Sequence, residues 1–207
     1  MRVELPQEIP GDGQFVPGSD ALTAASIHGA PSVTLVGMPG CGKSTIGRQL
    51  ARLRQLPFLD SDHEIERFLG CSIREFFDRE GEPAFRDVEE RVLRETLMAP
   101  QVRVVATGGG SVLRPANREV MKSSATVVYL HTQPEDLARR LSRDTQRPLL
   151  QVADPRQRLR DLYAVRDPIY REVADIVVDT AHKSAAMLVN LISMQLDMGT
   201  GARLDAK

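Results

Sequence analysis

The chain of 207 residues contains no tryptophan, two cysteines and four histidines, and only 4% of it is aromatic. Cys41 and Cys71 stand far apart, with no partners at metal-ligand spacing, so a disulfide framework and a Cys/His zinc cluster are both excluded. Two free thiols fit a reducing compartment. No apolar run approaches the roughly 20 residues that span a bilayer, and the N-terminus lacks the basic and apolar regions of a signal peptide. Its first 30 residues hold four acids and one arginine, the reverse of a transit peptide. A cytoplasmic location without membrane association is therefore expected. Charge of one sign is also lacking: 27 Lys and Arg face 28 Asp and Glu, leaving a formal net charge of −1. That balance argues against a nucleic-acid partner bound by bulk electrostatics, so any anion must be met by a local cluster of positive groups.

What is present is enough for one ordinary domain, able to bury roughly two-thirds to three-quarters of its unfolded surface without covalent staples. Residues 1–31 mix Pro6, Pro10, Pro17 and Pro31 with Gly11, Gly13, Gly18 and Gly29 and show no sustained period, which reads as a flexible leader. Residues 32–197 then alternate short apolar runs with helical periodicity, and residues 198–207 read as a tail. The expected strands are Val33–Val36, Pro57–Leu59, Val102–Ala106, Thr126–Leu130 and Asp175–Val178. Helices are expected over Lys43–Leu53, His63–Leu69, Glu82–Met98, a stretch after Pro115, Glu135–Leu141, Arg156–Val165 and Ser184 to about Leu196. Five continuous apolar strands separated by helices predict an α/β fold, a doubly wound parallel sheet covered on both faces in three layers. Ligands of such sheets bind at the carboxyl ends of the strands.

Directly after the first strand stands Gly37-Met38-Pro39-Gly40-Cys41-Gly42-Lys43-Ser44-Thr45, a GxxxxGKS phosphate loop in its strand-to-helix setting. Backbone N–H groups from Gly40 to Thr45 would cradle a polyphosphate at a helix N-terminus, Lys43 would reach the β- and γ-phosphates, and the Ser44 hydroxyl would ligate Mg²⁺. A purely connecting glycine turn would have no use for the Lys-Ser pair. For Cys41 two readings stand: a thiol activated by the helix N-terminus, or a small residue that fits. The second strand ends in Leu59-Asp60-Ser61-Asp62. Asp60 suits the water shell of the metal, and Asp62 reaches further, towards acceptor hydroxyls. If the strand stays extended the two carboxylates share a side, and Ser61 or Asp62 could equally cap the following helix.

With the DSD triplet following the phosphate loop, the chain resembles the shikimate kinase family. Gly81-Glu82-Pro83-Ala84-Phe85-Arg86, Ala106-Thr107-Gly108-Gly109-Gly110-Ser111, Arg147-Pro148-Leu149-Leu150 and Arg166-Asp167-Pro168-Ile169-Tyr170 follow in family order. The resemblance implies a fold like that of the phosphate-loop nucleoside-monophosphate kinases. It also implies transfer of the γ-phosphoryl group of ATP, with Mg²⁺, to the 3-hydroxyl of shikimate. On that reading Asp62 holds acceptor hydroxyls, Arg86 and Arg166 grip the carboxylate, and Gly108, Gly109 and Gly110 approach the bound acid, with Gly109 in contact. A lid at about 142–155 carries Arg147 over the transferring phosphate, and Arg140 stacks on adenine, with Arg139 and Arg143 as neighbours that could take that role. Whether Asp62 takes the hydroxyl proton or only orients the group stays open. Spacing alone would leave Arg86 as one more solvated charge on an Arg- and Glu-rich helix.

One departure from the family pattern is local. Arg54-Gln55 replaces the glycine that usually ends the first helix, so its C-cap must form without one. A monomer is expected. The competing readings are a kinase of another small acceptor, such as gluconate or a nucleoside monophosphate, and a non-catalytic metabolite sensor. The sensor reading would predict a lost phosphate-loop or DSD residue, and none is lost.

Overall fold

The computed structural model describes residues 32–141 and 154–204, with side chains through residue 199. The expected leader at 1–31, Arg143 and Arg147 with nearly all of the expected lid, and the last three residues lie outside the described residues. In chain order the elements are β1 (Ser32–Val36), α1 (Lys43–Arg54), β2 (Phe58–Asp60), α2 (Ser61–Leu69), α3 (Ile73–Met98), β3 (Val104–Ala106), α4 (Pro115–Ser124), β4 (Ala125–His131), α5 (Pro134–Leu141), α6 (Pro155–Val173), β5 (Ile176–Asp179) and α7 (Ala185–Leu204). A short 3-10 turn, Ser111–Leu113, separates β3 from α4.

The five strands form one parallel sheet in the order β2-β3-β1-β4-β5. Val33, Leu35, Val36, Val104, Val105, Val127, Val128 and Leu130 are buried, as a sheet covered on both faces requires. The covering follows from handedness. The β1-to-β2 connection runs towards one edge, whereas β2-to-β3, β3-to-β4 and β4-to-β5 run towards the other. Right-handed crossovers therefore put α1 on one face and α3, α4 and α6 on the opposite one. Consistently, α7 packs on α1, while α4 packs on α3 and α6.

Three elements differ from the sequence expectation. Helix α3 begins at Ile73 and is bent at Gly81, whose φ of 81° and ψ of 175° are not helical. The expected Glu82 helix is only its second arm. The first arm starts at a capping box, with Ser72 Oγ accepting from Glu75 N–H and the Glu75 carboxylate accepting from Ser72 N–H, a Ser-x-x-Glu signature legible in the sequence. Helix α6 extends to Val173 with Pro168 inside it, past the expected end at Val165, and α7 runs on to Leu204.

The C-cap of α1 forms without glycine, as the sequence requires: Gln55 adopts left-handed φ 53°, ψ 38° while its N–H bonds back to the last turn. A left-handed non-glycine residue costs roughly 1–2 kcal/mol, of which the greater unfolded freedom of glycine would take back about 0.4–1 kcal/mol. Gln55→Gly should thus stabilise the protein by about 0.5–1 kcal/mol in urea unfolding, with an unchanged m-value. A loss of stability would contradict the cap geometry.

Candidate active site

The loop after β1 leads into α1 through Gly42, which takes φ 103° and leaves the helix without a side-chain cap. The first N–H groups of α1 therefore have no side chain competing for them, the condition for holding an anion at a helix N-terminus. Lys43 Nζ donates to the carbonyls of Gly37 at 2.8 Å and Met38 at 3.0 Å, which holds the ammonium over the loop. Ser44 Oγ donates to Asp60 Oδ2 at 2.6 Å. A hydroxyl and a carboxylate oxygen gathered beside a phosphate loop form a hard-oxygen donor set that suits Mg²⁺. Cys41 is 1% exposed, its sulfur turned in beneath Gly37, the packing position of a small residue.

The DSD triplet is not extended. The strand stops at Asp60, which caps α2 by accepting from Asp62 N–H at 3.2 Å, so the cap is Asp60 rather than Ser61 or Asp62. Asp62 lies in the first turn of α2 and Ser61 is buried, its Oγ accepting from Gly108 N–H at 2.9 Å. That bond commits the Gly108 N–H within the protein. The helical turn puts the two acids to different uses: Asp60 faces Ser44, and Asp62 faces the glycine loop.

Asp62, Arg86 and Arg166 meet on three consecutive glycines. A Cβ added to Gly108 would lie 2.7 Å from Asp62 Oδ1, and one added to Gly110 would lie 2.6 Å from both terminal nitrogens of Arg86. Only glycine lets those charged groups come so close to the loop. Between them, the carbonyl of Gly109 accepts from Arg166 Nη1 at 3.2 Å and from Tyr170 Oη at 2.5 Å. Gly109 also rests against Pro39 of the phosphate loop, where a Cβ would come within 2.9 Å of Pro39 Cδ. The anion cradle and the two arginines therefore adjoin one another.

Arg86 is no solvated helix charge. It donates to Glu89 at 2.6 Å and to Glu82 at 3.0 Å, and Glu89 in turn accepts from Ser111 Oγ at 2.7 Å. Although burial works against its charge, these two glutamates hold the Arg86 pKa above the usual arginine value. Glu89 is 2% exposed, and sequence reasoning missed it. Its position one turn from Arg86 looks like an ordinary surface pair until the glycine loop is folded over it. Of the arginines after Pro134, Arg139 pairs with Asp136 at 2.7 Å at an exposed position. Arg140 reaches the carbonyls of Cys41 at 3.5 Å and Thr180 at 3.3 Å, at the rim of the phosphate loop.

Asp62 as a whole residue is exposed, yet its carboxyl lies against the glycine loop and beside Asp60, and its pKa is pushed up to about 6. Loss of surrounding water is the main cause and the charge of Asp60 the next, with Lys43 pulling the other way. A carboxyl whose folded value exceeds its ordinary 3.8 opposes folding when ionised, and makes no difference once both folded and unfolded forms are protonated. Asp62→Asn should therefore melt at a higher temperature than the parent above pH 6. The gain should fade as pH falls towards about 4. Thermal melts across that range check it, and equal melting temperatures at neutral pH would contradict the crowding.

Comparison with known proteins bears on the same residues. A family model described as shikimate kinase matches residues 39–197, from Pro39 of the phosphate loop through Asp62, Arg86, the glycine loop and Arg166. A shikimate kinase of Cupriavidus pinatubonensis is 50% identical, covering 86% of this chain and 91% of the relative, and one of Paracidovorax citrulli is 54% identical over 81% and 92%. Among solved structures, shikimate kinase from Acinetobacter baumannii in complex with shikimate superposes with a TM-score of 0.78 at 45% identity, covering 86% of this chain and 97% of that one. A gluconokinase from Sinorhizobium meliloti, 19% identical with a TM-score of 0.55, shares the fold alone. Matched in sequence along most of its length and in the fold that carries its glycine, aspartate and arginine motifs, the chain belongs to the shikimate kinase family.

Proposed function

We infer that the chain transfers the γ-phosphoryl group of ATP to the 3-hydroxyl of shikimate, giving 3-phosphoshikimate and ADP. Mg²⁺ is the metal. The supporting observation is the meeting of Asp62, Arg86 and Arg166 on Gly108, Gly109 and Gly110 beside the phosphate loop. A small hydroxylated carboxylic acid needs both parts of that cup: planar donors for its carboxylate and an acceptor for its hydroxyls.

The residues divide the work by chemistry. Arg86 and Arg166 hold the acceptor carboxylate, and Asp62 accepts from its hydroxyls, with Gly109 in contact with the ring. The loop N–H groups from Gly40 to Thr45 bind the phosphates, and Lys43, held over the loop by its carbonyls, reaches the β- and γ-phosphates. Ser44 would hold the magnesium ion directly and Asp60 through water. The ion, when bound, offsets negative charge on the phosphates. Arg140 lies against adenine. Arg147, outside the described residues, is assigned to the transferring phosphoryl group.

Because the transition state is loose, positioning and charge supply most of the acceleration, and Asp62 need not remove the proton before transfer. A raised pKa nevertheless leaves it a better proton acceptor than an ordinary carboxylate. Among the described residues no helix is long and apolar enough to cross a membrane. A cytoplasmic monomer that binds no nucleic acid completes the reading.

An ADP-release assay with a panel of acceptors tests the function. Shikimate should turn over, while gluconate and nucleoside monophosphates should not; turnover with one of those in its place would overturn the assignment. Lys43→Ala should lower kcat by more than about a hundredfold, the scale of removing one donor aimed at developing charge. Arg166→Lys should raise the shikimate KM by roughly 10- to 100-fold, equivalent to about 1.5–3 kcal/mol for a lost charged hydrogen bond, with the ATP KM nearly unchanged. An unchanged shikimate KM would remove Arg166 from the acceptor site.

A further inference from the structure

Helix α6 meets the acceptor loop and the sheet through different side chains. Arg166 and Tyr170, one turn apart, both donate to the Gly109 carbonyl. Beside Arg166, Asp167 accepts from Tyr129 Oη at 2.7 Å and from Arg171 Nε at 2.8 Å. One turn earlier, Tyr163 Oη and His131 Nε2 share a hydrogen bond of 2.8 Å. Tyr129 and His131 are two residues apart on β4 and so project from the same face. The Tyr129 ring is fully buried and stacks on Tyr170 with centroids 4.9 Å apart.

Pro168 stands in the middle of this arrangement. It has no N–H for the carbonyl of Ala164, and its ring crowds the preceding turn, so the hydrogen-bond ladder of the helix is weakest beside Arg166. The backbone alone fixes the direction of Arg166 poorly there. The cross-bonds to β4 supply what the helix lacks.

We propose that the Tyr129–Asp167 hydrogen bond, backed by the His131–Tyr163 bond, fixes α6 at its proline and thereby aims Arg166 at the carboxylate of the acceptor. Tyr129 and Asp167 are positioning residues for acceptor binding, and this rests on the reading that Arg166 holds that carboxylate. The pair is chemically complementary. Burial and the neighbouring Asp167 charge keep the Tyr129 phenol protonated, as a donor. Although burial pushes the Asp167 carboxyl up, hydrogen bonds from Arg171 and Tyr129 hold it below the usual range, as an acceptor.

The test is steady-state kinetics on three single variants and one double. Tyr129→Phe keeps the stacked ring and removes the donor, Asp167→Ala removes the acceptor, and Asp167→Asn retains a carbonyl oxygen that accepts from Tyr129. The first two should raise the shikimate KM by roughly 3- to 10-fold, the scale of one hydrogen bond, with kcat and the ATP KM within about twofold. Asp167→Asn should stay within about twofold of the parent, and Tyr129→Phe/Asp167→Ala should lie within about twofold of the worse single variant, since both changes remove the same Tyr129–Asp167 bond.

An unchanged shikimate KM in a Tyr129→Phe protein with parental circular dichroism overturns the proposal. So does an ATP KM that rises in step, or Asp167→Asn behaving like Asp167→Ala. Should Asp167→Ala fail to fold, Tyr129→Phe and Asp167→Asn still decide. An Arg166→Lys variant with unchanged shikimate KM would remove the acceptor-site reading itself, whereas a raised KM there beside an unchanged one in Tyr129→Phe would reject this inference alone.

Discussion

The parallel pairing of β1 with β3 on one side and β4 on the other is the constraint from which the site follows. Because β2, β3 and β1 lie in that order, the loops that leave their carboxyl ends are neighbours although they are far apart in the chain. The register makes the alignment close: Ala106 pairs with both Leu35 and Asp60, and Thr107 N–H and Oγ1 bond to the Leu35 carbonyl. Asp60, the glycine loop and the phosphate loop are thus set at one level of the sheet edge. Short strands carry this load because the strand residues of β1 and β3 are buried, so a slip of register would drive their side chains into the wrong layer.

The two arginines on the glycine loop reach this edge by a different route. Arg86 and Arg166 sit on α3 and α6, helices that cover the same face of the sheet from opposite sides of α4. Both are therefore subject to the geometry of a helix as well as of the sheet, and both helices contain an irregularity close to the arginine. Gly81 breaks α3 shortly before Arg86, and Pro168 weakens α6 shortly after Arg166. In each case side chains provide the missing restraint: Glu82 and Glu89 on Arg86, and the Gly109 carbonyl with the β4 contacts on the Arg166 region. Breaking a buried pair such as Arg86 with Glu89 leaves one charge uncompensated, which is why such restraints are effective.

Those restraints mark the limit of what the sequence shows. The phosphate loop and the five strands were legible because each depends on residues whose chemistry and spacing point one way. The extended reading of Asp60-Ser61-Asp62 failed because a helix can start directly at a strand end when an aspartate is there to cap it, and alternation cannot reveal that. Pro168 hid the true length of α6, since a proline is read as a terminator unless tertiary contacts hold the helix on both sides of it. Glu89 was invisible for the opposite reason. Its local pattern is that of a solvated ion pair, and only the approach of Gly108 and Ser111, which follow β3, buries it.

A division of labour between sheet edge and helices also explains where acceptor choice can reside. A phosphate loop beside an aspartate that caps the next helix is equipped for many small-molecule kinases, since on the proposed function both act on the nucleotide and its metal. On the same proposal the pair of guanidinium groups on the glycine loop is what suits the cup to a carboxylic acid, and these groups come from α3 and α6 rather than from the sheet edge. Asp62 links the two halves, crowded by Asp60 at the start of α2 and attracted by Lys43 at the start of α1. Its unfavourable electrostatics in the folded chain are the kind of local cost that functional sites carry while the surrounding core supplies stability.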